Sequence, residues 1–460
     1  MAEIALLKTA AEQQLAAQWL EAEHLRPGLE PTSLEPTSLG ALRAAAFDRF
    51  QNSGLPNRRV EAWKYTDLRA LMRDAKPLAA PPDAAAKARA SNAGASLASI
   101  EARRIVFVDG AFAPELSDLA DLEPGFSIRS MADVLVSGDP DLMTQIGQVV
   151  PTEDIAVALN TAFMADGAVI RVGPGATLSR PLHLIFFNSA ARPAAVFARS
   201  FVVMEKAARA MLIESHEGAA GADCQVNAML EIRIADGAHV DHIKITGAGS
   251  GALHLSSLMV SVGAHARFNE FLFTCGAQVV RNQVFVRITG EQAIVALRGA
   301  SLLSGHQHTD TTLIVDHVAS NCTSREVFKT VLDDESRGVF QGKIVVRPYA
   351  QKTDGRMASH GLLLSENAEA YNKPELEIFA DDVQCGHGAT AGALDENLLF
   401  YLMARGIPAK EAESLLIQAF VGDAVEGIEH AGLRDELMAQ VAGWLVARQS
   451  GAITRARTAS

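Results

Sequence analysis

The chain has 460 residues, 48% hydrophobic and 21% charged, a balance that suits two or three globular domains, each with its own core. Its 41 basic and 54 acidic side chains leave a net charge of −13, which argues against nucleic acid or an anionic membrane as the main partner. Aromatic residues are only 6%, so platforms for stacking bases or sugars are not expected either.

Residues 3–25 read as an amphipathic helix, with Ile4, Leu7, Ala11, Leu15 and Trp19 spaced three or four apart. Acidic residues and the lack of a basic leading segment argue against a secretory signal. EPTSL occurs at 30–34 and again at 35–39, a polar loop with two prolines. A second helix is expected near 40–52, with Leu42, Ala46 and Phe50 on one face and Gly54 as its stop. In EAWKYTDLR (61–69), Trp63 and Tyr65 read as aromatic anchors for these helices. The Ala- and Pro-rich stretch from Lys76 to Ser96 reads as a linker and a first domain boundary. RIVFVDGAFAP (104–114) reads as a hairpin turning at Asp109-Gly110.

Between about 150 and 350 the pattern becomes short β runs broken by Gly. GAHVDHIKI (237–245) and GAHARFNEF (263–271) are near copies, with weaker ones at 175–184 and 291–299. Ala238 and Ala264 are set one repeat apart on this reading, and Ala176 and Ala238 two repeats apart. A period of ~25–31 residues, each unit holding two or three strands, points to a parallel β-helix whose ends the flanking helical segments would cap. A β-sandwich is the competing architecture. GAGSGA (247–252) lacks a dinucleotide-binding setting and reads as a turn.

The last part of the chain is helical. Asp395 is a candidate N-cap, Gly406 a stop, and Pro408 suits the first turn of the next helix. Ala412, Leu415, Leu416, Ala419 and Phe420 form an apolar stripe there, and Leu433, Leu437, Val441 and Trp444 form another. Such a stripe serves equally as a docking face or as intramolecular core.

Several signatures of catalysis are missing: G-x-x-x-x-G-K-[ST], H-E-x-x-H and G-x-S-x-G. No run of ~18 apolar residues offers a membrane span. Cys224, Cys275, Cys322 and Cys385 are widely scattered with no C-x-x-C among them, which suits a reducing cytoplasm and gives no four-thiolate cluster site. The densest His/Asp grouping holds His306, His308, Asp310, Asp316 and His317. On one strand, His306 and His308 would share a face and a metal, with Asp310 and Asp316 as candidate carboxylate ligands; a buried polar ladder is the other reading. Cys385 and His387 sit one residue apart. They are too few to close a metal site, so they are either packing or half of a site completed from elsewhere.

KPELEIFADDVQCGHGAT (373–390), FYLMARGI (400–407), AQKTDGR with LLLS between 350 and 365, HTDTTLIVDH (308–317), SREVFKTVLDD (324–334) and EAWKYTDLR together resemble the SufD family of the SUF iron–sulfur cluster assembly system. The resemblance implies a right-handed parallel β-helix at 96–390 between an N-terminal helical region (1–95) and a C-terminal helical domain (391–460). It implies a non-catalytic scaffold that pairs with SufB through the β-helix and with the ATPase SufC through the C-terminal helices, or forms a homodimer when alone. No cofactor is expected on the isolated chain; a nascent Fe–S cluster or iron would be shared with SufB, and a flavin can visit the complex. His387 would be the ligand, with Cys385 beside it, and Gly386 stands where the family often has Ser. A SufB-like paralogue is disfavoured by the ADDVQCGHGAT phrasing and the lack of Cys-rich segments. A polysaccharide-acting β-helix enzyme is disfavoured by the missing paired-carboxylate motif.

Overall fold

The computed structural model describes residues 8–22, 39–189, 192–219, 221–247 and 253–450. The EPTSL repeat up to residue 38, the GAGSGA turn beyond Gly247, and both ends of the first expected helix lie outside them. In chain order the helices are α1 (Ala10–Ala22), α2 (Leu39–Ser53), α3 (Leu68–Leu71), α4 (Ala84–Arg89), α5 (Met131–Ser137), α6 (Pro140–Met143), α7 (Ile155–Phe163), α8 (Glu396–Met403), α9 (Ala409–Val425) and α10 (Ala431–Gln449). The strands are β1 (Arg103–Val108), β2 (Ala111–Phe112), β3 (Phe126–Ser130), β4 (Ala168–Val172), β5 (Leu182–Asn188), β6 (Ala194–Met204), β7 (Arg209–Gly218), β8 (Cys224–Ile234), β9 (His239–Thr246) and β10 (Leu253–Val262). Then follow β11 (Arg267–Thr274), β12 (Val279–Ile288), β13 (Ile294–Leu303), β14 (His308–His317), β15 (Thr323–Leu332), β16 (Arg337–Val346), β17 (Asp354–Leu363), β18 (Glu369–Ile378) and β19 (Gln384–Gly392).

The strands form a solenoid of about seven turns with helices at both ends of the chain. From β5 to β19, odd strands stack in parallel in one sheet and even strands in the facing one, so each coil gives one strand to each wall. Inward residues such as Val240, Phe268, Val295, Leu258, Val284 and Leu313 fill the space between the walls.

A recurring turn sets the coil length. Gly175, Ala207, Gly237, His265, Gln292, Asn321 and Lys352 are left-handed, with φ between 54° and 69°. Each N–H donates to the carbonyl just before its counterpart one coil on: Ala207 to Asp236, Gly237 to Ala264, His265 to Glu291. The next residue points into the core, where the turn leaves little room. Ala208, Ala238, Ala266, Ala293 and Cys322 occupy it, all essentially buried. Cys322 thus serves as a small hydrophobe.

This register corrects the repeat read from sequence. His239 pairs with Arg267, so Ala238 stacks on Ala266 and not on Ala264. The likeness of GAHVDHIKI and GAHARFNEF is accidental there, whereas Ala176 and Ala238 do hold equivalent places two coils apart.

The hairpin at Asp109-Gly110 forms as expected, both residues having positive φ. Residues 76–96 do not form a loose linker. Asp83 caps α4, two 3₁₀ turns follow, and Ala86, Ala90 and Ala93 bury against Val106 and Ile185. Small residues allow this close approach, and composition alone does not separate that from flexibility.

Helical segments stand at both ends, as expected, and α1, α2, α7, α9 and α10 lie along the walls of the solenoid. α1, α2 and α7 pack with Phe197, Leu253 and Leu255 on the outer face of the even wall. α9 and α10 pack on the odd wall through Ile417, Val421, Ala424, Leu433, Leu437 and Val441, against Phe271, Phe273, Ala300 and Val331. The α10 stripe is the expected one. The α9 stripe is rotated, because the wall takes Ile417 and Val421 and leaves Leu415 exposed. Antiparallel β2 and β3 close the first coil, while β18 and β19 end their sheets with no strand beyond them among the described residues.

Ala238→Leu forces extra methylenes into the tight column under the turn and should lower stability by about 1–3 kcal/mol. Urea unfolding measures this, and an unchanged midpoint would show that the column is not close-packed.

Candidate functional site

Cys385 and His387 lie on β19, the outermost strand of the odd wall. Their register partners are Gly355 and Met357 of β17. Met357 belongs to the inner core, and Cys385 packs against that core as well. With period-two alternation, both residues face the lumen side of the last coil. Cys385 is half-buried and His387 exposed, and together with Arg356, Met357, Gln384 and Gly386 they line an open hollow. Burial pushes the Cys385 thiol up, with Asp354 and Glu326 adding to the effect. A Cβ at Gly386 would meet nothing within 4 Å, so this wall readily accepts Ser there.

The surroundings are unfinished in a specific way. Among the described residues, β18 and β19 carry unpaired main-chain edges, and Tyr371, Ile378 and Phe379 are exposed beside them. Just beyond, α8 is capped by Asp395, as expected from sequence, yet none of its residues is buried. Leu398, Phe400, Tyr401 and Met403 all face outward. Long exposed edges and apolar surface of this kind are normally covered by a partner.

The His306 grouping is arranged differently from the sequence expectation. His306 lies in the turn before β14 and stands 3.4 Å from exposed Glu335, so it shares no strand face with His308. The side chains of His308 and Asp310 hold the N-terminal segment instead. Thr66 Oγ1 donates to Asp310 Oδ2 at 2.5 Å and lies 2.9 Å from His308 Nε2. Asp310 also pairs with buried Arg281, whose guanidinium stacks 3.9 Å from the Trp63 ring and donates to the Ala62 carbonyl. Trp63 Nε1 donates to Asp154, the N-cap of α7. Trp63 is therefore the anchor the sequence promised, and Tyr65 packs against Tyr371 of β18. Asp316 pairs with Arg347 on the surface, and His317 is buried against Ser324.

Two features inside the solenoid escape a reading of the sequence. The first is a charged cluster bridging both walls. His242 Nδ1 lies 2.6 Å from Glu270, His216 Nε2 lies 2.5 Å from Glu214, and Lys244 donates to Asn282 on the facing wall. Burial opposes charge on His242, but Glu270 and Glu214 outweigh it and hold its pKa at about 9. Burial lowers Lys244 to about 8. The second is Glu326, in register with Met357 and hence one strand further in than His387's neighbour. Both of its carboxylate oxygens are buried without a hydrogen-bond partner, and burial pushes its pKa to about 8. Only the alternation of β15 could have flagged it, and a surface-facing register would have read equally well.

Known proteins resemble the chain over most of its length. Residues 186–420 match the SUF system FeS cluster assembly SufBD core domain, and residues 31–184 match the SufBD protein N-terminal region. A SufBD family iron-sulfur cluster assembly protein of Synechocystis is 30% identical over 86% of this chain and 88% of its own length. The iron-sulfur cluster assembly protein SufD of Escherichia coli is 30% identical over 85% of this chain and 89% of its own. A chloroplastic protein of Arabidopsis thaliana is 25% identical over 92% of this chain and 90% of its own. The chain belongs to the SufBD family of iron–sulfur cluster assembly proteins, and within it is SufD-like. Among the described residues, no helix is long and apolar enough to cross a membrane.

Glu326 supplies a test of the buried register. Its folded pKa is raised, so the native state keeps its proton while the unfolded chain ionises above about 4.5. Stability is therefore lost as pH rises from about 4.5 to about 8. Glu326→Gln should match wild type at about pH 4 and exceed it by at least about 1 kcal/mol at pH 8. Urea unfolding at the two pH values reads the difference, and an equal gain at both would mean the carboxyl is solvated.

Proposed function

We propose that this chain is a scaffold subunit of the SUF machinery that pairs with SufB through the open last coil and docks the ATPase SufC through its C-terminal helices. The observation that carries the reading is the pair of donors, Cys385 and His387, on the inner face of an edge strand. A thiolate and an imidazole are both competent iron ligands, one soft and one borderline. They supply half of a four-ligand set, and the remaining ligands come from the chain across the edge. Iron or the growing cluster is cargo in this scheme.

The partially buried strand divides the two roles. His387, exposed and rotatable, binds the iron. Cys385 is protonated at neutral pH, because burial raises its pKa. It must release that proton to ligate, so its participation strengthens as pH rises. A site made by two chains opens when their interface shifts, which a sealed four-cysteine site resists.

SufC docking is assigned to α8 and the surface next to it. The buried stripes of α9 and α10 are spent on the odd wall, whereas Phe400, Tyr401 and Met403 are unspent. Movement of SufC on α8 would pull directly on β19, since only the few residues between Gly392 and Glu396 separate them. The chain itself performs no ATP hydrolysis in this reading. Without SufB, the same edges favour a homodimer.

Co-expression with SufB and SufC tests the assignment. His387→Ala should leave complex recovery unchanged and reduce the iron–sulfur absorption of the purified complex several-fold. Loss of the complex itself would make His387 interface packing. Failure of wild type to recover either partner would overturn the scaffold reading.

A further inference from the structure

We infer that His239, Asp241 and Glu429 form a binding site for a divalent first-row transition-metal ion that ties the loop between α9 and α10 to the solenoid wall. His239 opens β9 and Asp241 follows two residues later on the same outward face. Glu429 comes from the far end of the sequence, in the short loop between the two helices that cover this wall. One donor atom from each lies within 4.8 Å of the other two, and among the described residues no other set of three His, Cys, Asp or Glu meets that spacing.

The neighbours prepare the donors. Asn269, on β11, donates to Asp241 Oδ1 at 2.7 Å, and its amide nitrogen stands 3.3 Å from His239 Nε2. Asp241 Oδ1 stands 3.4 Å from the same Nε2, and an ion bound there would displace the Asn269 amide, because a hydrogen bond and a metal compete for one lone pair. Asn269 also holds the carboxylate in place, the usual task of an outer-shell partner. The loop is pressed on the wall: a Cβ at Gly427 would come within 2.5 Å of the Arg298 side chain, which would have to swing aside to admit it.

A second observation lies beside these three. A cavity of about 20 Å³ under the loop is lined by two of the three, Asp241 and Glu429, with Asn269, Arg298 and apolar Met211, Ile243 and Phe271; His239 lies outside its lining. That is room for a single ion or water and for nothing larger. Arg267 is the cation paired with Glu429, but at 3.8 Å it is too far for a hydrogen bond, so the carboxylate is free to turn onto an ion. Arg298 would shift outward as the ion's own charge replaces it. One imidazole with two carboxylates suits Fe(II), Mn(II), Co(II) or Zn(II), whereas Ca(II) prefers an all-oxygen shell. Water would fill the positions left open toward solvent. The site is separate from the open coil, being five strands away from β19 in the same sheet, about 24 Å at ordinary strand spacing.

Metal binding would lock the α9–α10 pair onto the wall by a polar clamp in addition to its apolar contact. Co(II) is a suitable probe, because its visible absorption reports nitrogen and oxygen coordination. Anaerobic titration of the full-length metal-free chain should show one equivalent bound with raised thermal stability. Asp241→Asn and Glu429→Gln should each weaken that binding by at least about tenfold and remove the thermal gain, while His306→Ala, at an exposed histidine outside the site, leaves both unchanged. Glu429 is exposed, so its variant folds normally. No stoichiometric binding, or binding untouched by the two substitutions together, overturns the site. Loss of binding in His387→Ala alone would place the ion at β19 and also overturn it, leaving the scaffold reading intact.

Discussion

In a solenoid the main-chain hydrogen bonds run along the axis, so every coil depends on the coils on either side of it. The left-handed turn makes this plain: the N–H of Ala207 needs the carbonyl of Asp236, and Gly237 needs Ala264. No coil satisfies itself, and the series must end in an unsatisfied edge or in a device that stops it. At the first coil the device is present, since β2 and β3 fold back antiparallel. At the last coil no such strand is found among the described residues, and β18 and β19 are left open. Main-chain groups have a strong demand for partners, and an edge of this length is a pairing surface unless something covers it. The position of Cys385 and His387 on that edge is thus a consequence of how the coils propagate.

The flanking helices obey a different constraint. Each wall has an outer face rich in large apolar residues, such as Leu253 and Leu255 on one side and Phe271 and Phe273 on the other. Water must be excluded from both, and the helices are long enough to do it side-on. The N-terminal segment adds fixed geometry to that burial. Arg281 and Asp310 are fully buried, and an ion pair in such a place is tolerable only when its remaining donors and acceptors are used. Thr66, Ala62 and the Trp63 ring provide most of those partners, with Arg281 Nε left without one. The segment is therefore held in one register on the wall.

Much of this is legible in the sequence because the features that carry it are local. Hairpin chemistry at Asp109-Gly110, the cap at Asp395 and the α10 stripe need only neighbouring residues. The coil length is legible as an approximate period and fails in detail at Ala264. A left-handed turn can be filled by Gly237 in one coil and His265 in the next, so identical letters do not mark identical places. Residues 76–96 mislead for a related reason: alanine composition fits a flexible linker and a tightly docked helix alike. The face of α9 cannot be read at all without the wall against which it packs. His306 and His308 are close in sequence and line one surface cavity, but the turn before β14 keeps them off a common strand face. The His239, Asp241 and Glu429 set is out of reach, because Glu429 is remote from its partners along the chain and only the folding-back of α9 over the wall brings it to them.

The lumen carries the least expected part of the design. A solenoid core needs only apolar columns, yet Glu214, His216, His242, Lys244 and Glu270 are buried between the walls. Charges so placed cost on the order of several kcal/mol each to desolvate, and the mutual contacts among them offset that cost only while all members stay paired. Packing alone does not call for them, since Leu212 and Leu297 occupy equivalent positions in adjoining coils. Glu326 continues the polar character toward the open end, and Met357 separates it from His387. The inner face of the solenoid therefore grades from a paired ionic cluster, through a neutral carboxylic acid, to the exposed donors of the last coil. While Glu326 keeps its proton it adds no negative charge behind Cys385; on ionising it raises the pKa of that thiol further. The acidity of that thiol is in this way coupled to a residue two strands inside the protein, beyond the reach of whatever covers the edge.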